Sequence, residues 1–140
     1  MKKPIIEGNS IKIPSSQDYL PDVDEFVEAI LIDNKVDKSI VADIAISVTE
    51  MVINCIVHGN KSDIEKTVSV KVVKDNGEVT VSISDEGAGF NPEKVENPIE
   101  DKNLLREVGR GIFITKSLMD SVSFEPVSGG GTKVILKKLI

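Results

Sequence analysis

The sequence predicts an α+β fold, a two-layer sandwich with helices packed on one face of a mixed, mainly antiparallel sheet. Short runs that alternate apolar and polar residues occur near both ends and in the middle of the chain, as in half-buried strands. Two long segments repeat apolar residues every three or four positions, as amphipathic helices do. The length of 140 residues predicts a single domain over 1–140, because domains usually contain roughly 100 to 200 residues.

The first half of the chain predicts one short edge strand followed by two helices, of which the second is much more apolar. Pro21 lies in the first turn of the first helix, where its missing N–H does no harm. Gly59-Asn60 supplies the C-terminal stop of the second helix. The predicted bounds are 10–15 for the strand, 17–34 for the first helix and 38–58 for the second.

The second half predicts a hairpin, a long loop, a third helix and two further strands. Asn76-Gly77 joins two alternating runs, and this pair is the strongest short-range hairpin signal. The charged segment 90–108 predicts a lid, since loops of that length are usually functional or disordered. The predicted bounds are 67–74 and 79–85 for the hairpin strands, 111–120 for the helix, and 122–125 and 132–139 for the last strands, with a turn at 128–131.

Composition excludes several classes of function. With 23 acidic against 17 basic residues the net charge is −6, so direct binding to nucleic acid phosphates is not expected. Cys55, the single cysteine, cannot form an internal disulfide. Because no apolar run approaches the roughly 18 residues of a membrane span, we expect a cytoplasmic protein with no membrane partner. One histidine and one cysteine are too few for structural zinc, so a metal would be a hard, oxygen-bound cation.

Two polar residues interrupt the most apolar helix. Glu50 and Asn54 are four residues apart, so they share one side of that helix. The residues between and after them are apolar nearly all round, which indicates burial, and an unpaired buried polar group costs roughly 1 to 3 kcal/mol. A solvated helix face is the alternative. A pocket that contains a cation and a polar ligand would supply the missing partners.

An acidic residue ends the apolar row of the second hairpin strand. Asp85 continues the face formed by Val79, Val81 and Ile83. Either the strand stops before Asp85, which then opens a turn, or Asp85 accepts a hydrogen bond from an amino group at a pocket floor. In the second case Gly87 and Gly89 would let the backbone approach a flat ligand.

A glycine-rich run precedes the third predicted helix. Gly109-Arg110-Gly111 stands where a helix N-terminus would present unpaired N–H groups to phosphate oxygens, although a plain linker is the alternative. The usual phosphate loop, Gly-x4-Gly-Lys-Ser/Thr, is absent, so a nucleotide would have to bind by another design.

Taken in order, these motifs resemble the N-box and glycine boxes of the GHKL (Bergerat-fold) ATPases. The closer resemblance is to bacterial anti-sigma-factor serine kinases of the RsbW type, through residues 49–60 and 111–120, and it covers nearly the whole chain. One mild departure is Cys55, at a place where a small residue, commonly alanine, follows the Asn. The boxes are Glu50-x3-Asn54, Asp85-x-Gly87-x-Gly89, the lid 90–108, Gly109-x-Gly111 and Gly131-Thr132.

The resemblance implies ATP and Mg²⁺ as cofactors and gives the matching residues roles. Asn54 would bind Mg²⁺, and Glu50 would accept the proton of a serine hydroxyl on a protein substrate. Asp85 would bind the adenine amino group, and Arg106 or Arg110 would reach the γ-phosphate. The residues implied to bind ATP are Asn54, Asp85, Gly87, Gly89, Gly109, Arg110, Gly111 and Thr132.

The implied function is that of an anti-sigma factor and protein serine kinase. Such a protein sequesters a sigma factor and phosphorylates a STAS-type anti-sigma-factor antagonist on serine, and the family commonly forms homodimers. A non-catalytic, ATP-gated binding module of the same fold stays open as an alternative. The catalytic domain of a histidine kinase is disfavoured, because 140 residues contain no separate helix pair with a phosphoacceptor histidine.

Overall fold

The computed structural model describes residues 3–87 and 102–140, and for residues 102–107 the backbone alone. A 3-10 turn, Gln17–Tyr19, leads into the first helix, and a π-helical turn, Cys55–Gly59, continues the second. The other elements of the described residues are β1 Ile5–Glu7, β2 Ser10–Pro14, α1 Leu20–Asp33, α2 Lys38–Asn54, β3 Thr67–Asp75, β4 Glu78–Ser84, α3 Lys102–Leu118, β5 Ser121–Pro126 and β6 Thr132–Leu139.

The strands form one sheet in the order β1-β2-β3-β4-β6-β5. Every pairing within the described ranges is antiparallel, so the mixed sheet that the sequence suggested is purely antiparallel there. The hairpin prediction is confirmed, since Asp75 pairs with Glu78 around a two-residue turn. Asn76 and Gly77 both have positive φ, 46° and 81°, as a turn that matches the twist of the flanking strands requires.

The core lies between the sheet and the helical layer, as predicted for a two-layer α+β sandwich. Alternate residues of the central strands point toward the helices and are buried, while their neighbours on the other face are mostly polar. The buried sheet residues are Ile11, Ile13, Val68, Val70, Val72, Val79, Val81, Ile83, Val134 and Leu136.

The continuous helix formed by α2 and the π-helical turn is unusually apolar. Over 22 residues, Lys38–Gly59, it is long and apolar enough to cross a membrane by length and composition, so the prediction that no such run exists was wrong. Asp43 and Glu50 interrupt the run without making it polar overall. Half of this apolar stretch is buried inside the protein, where the helix contacts α1, α3 and β4. The core helix of a water-soluble domain has the same length and composition.

The third helix begins earlier than predicted. It starts at Lys102 and not at Gly111, so residues 102–108 of the predicted lid are helical, and the rest of that lid lies outside the described residues. Each glycine in a helix interior destabilises the helix by about 1 kcal/mol relative to alanine, but here packing against the core keeps the segment helical. Val108 and Thr115 are buried and Ile112 packs against the core, at helical spacings of three and four.

The remaining differences are small. The strand β1 was not predicted, because three residues are too few for an alternation to be read, and it pairs with β2 at the sheet edge. The observed ends of most other elements fall within one or two residues of the predicted ones, and the bounds of β6 agree fully.

Asn60 connects three distant segments immediately after the π-helical turn. Its Nδ2 donates to Ser15 Oγ at 2.8 Å and to the Thr67 carbonyl oxygen at 3.0 Å. Its Oδ1 accepts a hydrogen bond from the Glu86 N–H at 2.9 Å. Because Asn60 is fully buried, these bonds tie the chain that follows β4 to the end of the central helix.

The substitution Asn60→Ala would leave the Glu86 N–H, the Thr67 carbonyl oxygen and Ser15 Oγ without this buried partner. We expect the free energy of unfolding to fall by about 2 to 4 kcal/mol, measured by urea denaturation. The control is Asn34→Ala, which removes an exposed bond to the Ile30 carbonyl and should cost about 0.5 kcal/mol. Equal losses in the two variants would contradict the anchoring role.

Candidate functional site

Glu50, Asn54 and Gly111 come together where α2 and α3 touch. A Cβ atom placed on Gly111 would lie 3.0 Å from Glu50 Oε2 and 3.8 Å from Asn54 Oδ1. The missing side chain therefore lets the backbone of α3 approach both polar groups. Asn54 is only 7% exposed and Glu50 is half-buried, so the alternative of a solvated helix face is wrong.

Asn54 carries a buried polar atom whose partner is missing from the described part of the chain. Its Nδ2 makes no hydrogen bond there, which costs roughly 1 to 3 kcal/mol unless a ligand pairs with it. Asn54 Oδ1 is a hard oxygen donor, and Mg²⁺ is usually held by one or two protein groups together with phosphates. One asparagine with a free donor and an oxygen thus fits a magnesium ion and the phosphates it accompanies.

The Asp85 carboxylate is buried just beyond the end of β4. Asp85 is 4% exposed, and its Oδ1 accepts hydrogen bonds from the N–H groups of Gly87 at 3.1 Å and Thr132 at 3.0 Å. The strand stops at Ser84, so the turn interpretation describes the backbone correctly. A turn alone does not explain why the Asp85 carboxylate is buried, because a carboxylate stays buried only where hydrogen-bond donors surround it.

Three glycines let the backbone close around Asp85. A Cβ atom on Gly59 would overlap Asp85 Oδ2, and one on Gly131 would overlap the Asp85 carbonyl oxygen. A Cβ atom on Gly87 would overlap the Gly59 carbonyl oxygen. Sequence reasoning singled out Gly87 for close approach but took Gly59 for a helix stop, since a glycine after a helix has the same appearance in both roles.

Cys55 contacts the same carboxylate from the helical side. The thiol donates a hydrogen bond to Asp85, and Cys55 is 3% exposed. Burial raises the pKa of the Cys55 thiol well above its usual range, and the charge of Asp85 and this hydrogen bond raise it further. The thiol therefore stays protonated and remains a donor. The sequence suggested only that Cys55 fills space, because nothing local signals a contact with a residue so distant along the chain.

Two polar residues of the site, Asn54 and Cys55, thus lie on the same stretch of helix. Asn54 and Cys55 are consecutive, so the unsatisfied amide and the group that holds Asp85 lie side by side at the start of the π-helical turn. The Asn60 N–H bonds to the Cys55 carbonyl at 2.8 Å, which closes that turn. Turns of this kind are frequent at functional sites.

The glycine run is placed differently from its prediction. Gly109, Arg110 and Gly111 lie inside α3, so the helix N-terminus expected there was wrong. Gly111 faces α2, whereas the space around Gly109 is open and Arg110 is exposed. Gly89 and the side chain of Arg106 lie outside the described residues. The binding of ATP by Gly109 and Arg110 stays a prediction.

Comparison with known proteins gives one family and a set of relatives. The histidine kinase-like ATPase domain family matches residues 13–138. The anti-sigma F factor of Clostridium acetobutylicum is 36% identical over 100 residues, which are 69% of this chain and 68% of that protein. The anti-sigma F factor of a Thermoanaerobacter species is 33% identical over 102 residues, 71% of each chain.

Two solved structures share the fold. The RsbU and RsbW domains of a Mycobacterium tuberculosis protein match with a TM-score of 0.65 and 20% identity, over 99% of this chain and 32% of that one. The SiaB-SiaC complex from Pseudomonas aeruginosa matches with a TM-score of 0.62 and 16% identity, over 99% of this chain and 92% of that one. The predicted fold is confirmed.

The substitution Gly59→Ala should strain the site, because its methyl group would overlap Asp85 Oδ2. We expect the free energy of unfolding to fall by about 3 kcal/mol, the upper range for overpacking, in urea denaturation. Gly109→Ala is the matched control, since a Cβ there meets no atom within 4 Å and should stabilise the helix by up to about 1 kcal/mol. If Gly59→Ala were as stable as that control, the close approach to Asp85 would be refuted.

Proposed function

The chain belongs to the histidine kinase-like ATPase domain family, and we propose that it is an anti-sigma factor that phosphorylates a protein antagonist on serine with ATP. Its anti-sigma F factor relatives support the regulatory role. The observation that carries the catalytic role is the pairing of half-buried Glu50 with the buried, unsatisfied amide of Asn54 beneath Gly111.

The base of ATP binds at Asp85 in this proposal. The Asp85 carboxylate accepts the adenine amino group, and the backbone at Gly87 comes close to the ring. Thr132 is joined to Asp85 in both directions, through its N–H and its carbonyl oxygen, each at 3.0 Å, and so completes the adenine end. Gly89 and the lid are assigned to the same nucleotide by resemblance.

Asn54 and Gly111 would receive the phosphates of ATP. Asn54 Oδ1 would hold Mg²⁺ and Asn54 Nδ2 would donate to a phosphate oxygen, so both ends of the amide would be satisfied. The metal supplies charge neutralisation to the phosphate oxygens. Gly111 admits this group because a larger residue would occupy the space beside Glu50 and Asn54.

Glu50 acts as the general base. It is half-buried, so a serine hydroxyl on a protein substrate can reach it from solvent while the carboxylate stays beside Asn54. Glu50 accepts the hydroxyl proton as the serine oxygen attacks the γ-phosphate, and ADP leaves. The two residues are four apart on α2, which sets the base and the metal ligand on one face.

The acidic first helix supports a basic partner such as a sigma factor. No lysine, arginine or histidine occurs between Pro14 and Asn34. Asp24 lies close enough to Glu28 to raise the pKa of Glu28, first through a hydrogen bond and then through like charge. The remaining acidic residues of this segment are Asp18, Asp22, Glu25 and Asp33. A STAS-type antagonist as substrate, a homodimer and a cytoplasmic location complete the proposal.

The substitution Glu50→Gln keeps the shape of the side chain and removes the base. We expect transfer of the γ-phosphate of ATP to the antagonist to fall on the order of 100-fold, with ATP binding retained. Radiolabelled ATP and quantification of acid-stable phosphoserine measure the rate. The control is Glu78→Gln, at the far hairpin, which should transfer phosphate at the wild-type rate.

The other possible results would each contradict a different part of the proposed function. Unchanged transfer by Glu50→Gln would mean that Glu50 is not the base. A wild-type protein that binds ATP and labels nothing would be the non-catalytic binding module. Acid-labile phosphate would indicate phosphorylation of histidine.

A further inference from the structure

The described residues hold the Asp85 carboxylate from two sides. From the sheet side, the N–H groups of Gly87 and Thr132 donate to Oδ1 at 3.1 Å and 3.0 Å. From the helical side, Gly59 leaves room for Oδ2, and the thiol of Cys55 donates to the carboxylate. Cys55 and Gly59 begin and end the π-helical turn, so that turn presents both to the same group.

These donors differ in what supplies them. Gly87 and Thr132 donate through the backbone, which other residue types would also provide. The third donor depends on the side chain at position 55, because an alanine there has no polar hydrogen. The side chain at position 55 therefore decides whether the helical side contributes a hydrogen bond to Asp85.

The number of donors limits what else the carboxylate can accept. A carboxylate offers about four lone-pair positions, and the Gly87 N–H, the Thr132 N–H and the Cys55 thiol each occupy one of them. These donors come from separate segments of the chain, so they restrict rotation of the carboxylate and limit the direction in which it can accept an N–H group of a ligand.

We propose that Cys55 is a positioning residue of the adenine site, whose thiol orients the Asp85 carboxylate toward the adenine amino group and sharpens selection for ATP. The inference rests on the proposed function, because it takes ATP as the ligand of Asp85.

Selectivity follows from the chemistry of the two purines. Adenine presents an amino N–H where guanine presents a carbonyl oxygen, and an oxygen facing the carboxylate would leave two acceptors without a donor. A site built around a fixed acceptor rejects a ligand that lacks the matching donor. Without the thiol, the carboxylate turns more freely and can be solvated by water, so its preference for adenine weakens.

The test measures dissociation constants for Mg·ATP and Mg·GTP by isothermal titration calorimetry in wild type, Cys55→Ala and Cys55→Ser. We expect Cys55→Ala to bind ATP on the order of tenfold more weakly with GTP little changed, and Cys55→Ser, which keeps a donor, to recover most of the loss. Ile44→Val, a buried change on the same helix, controls for lost core volume and should bind as wild type. Urea denaturation verifies that each variant is folded.

Two results would overturn the positioning role. One is a Cys55→Ala protein with the wild-type affinity for ATP and the wild-type ratio of ATP to GTP binding. The other is a loss in Cys55→Ala that serine does not restore, because packing and not the hydrogen bond would then be responsible. A wild-type protein that binds neither nucleotide would overturn the proposed function itself, and this inference with it.

Discussion

The burial of the Asp85 carboxylate is the constraint on which the rest of the site depends. An ionised group inside a protein costs several kcal/mol unless hydrogen-bond donors surround it. Here the donors come from the segment after β4, from the start of β6 and from the end of the central helix. Glycine is needed at positions 59, 87 and 131 because each backbone passes too close for a side chain. One charge thus specifies how three distant segments meet.

The central helix links the position of Asp85 to that of the other two polar residues of the site, Glu50 and Asn54. Its π-helical turn contacts Asp85, and the residue before the turn is Asn54, whose amide is buried and unsatisfied. One helical turn earlier, Glu50 lies beneath Gly111 of α3. The proposed metal ligand and the proposed base are therefore held on one helix, whose π-helical turn also contacts the proposed adenine acceptor after β4. This arrangement suits a reaction that requires positioning more than covalent chemistry.

Local patterns were enough for most of the fold, and they singled out Glu50, Asn54 and Asp85, whose roles stay predictions. The alternation of β6 and the Asn76-Gly77 turn are signals carried by neighbouring residues, so they could be read directly. The start of α3 could not be predicted in this way, because packing against α2 outweighs the low helix propensity of its glycines. The bonds of Asn60 and the contact of Cys55 with Asp85 join residues distant in sequence, and tertiary structure alone creates them.

The central claim is that the buried carboxylate of Asp85 receives the amino group of ATP. Calorimetric titration of Asp85→Asn with Mg·ATP tests it most directly, with circular dichroism as a check that the variant is folded. We expect affinity to fall by about 10- to 100-fold, because a hydrogen bond to a charged acceptor is lost. A folded Asp85→Asn protein that binds ATP as tightly as wild type would contradict the claim.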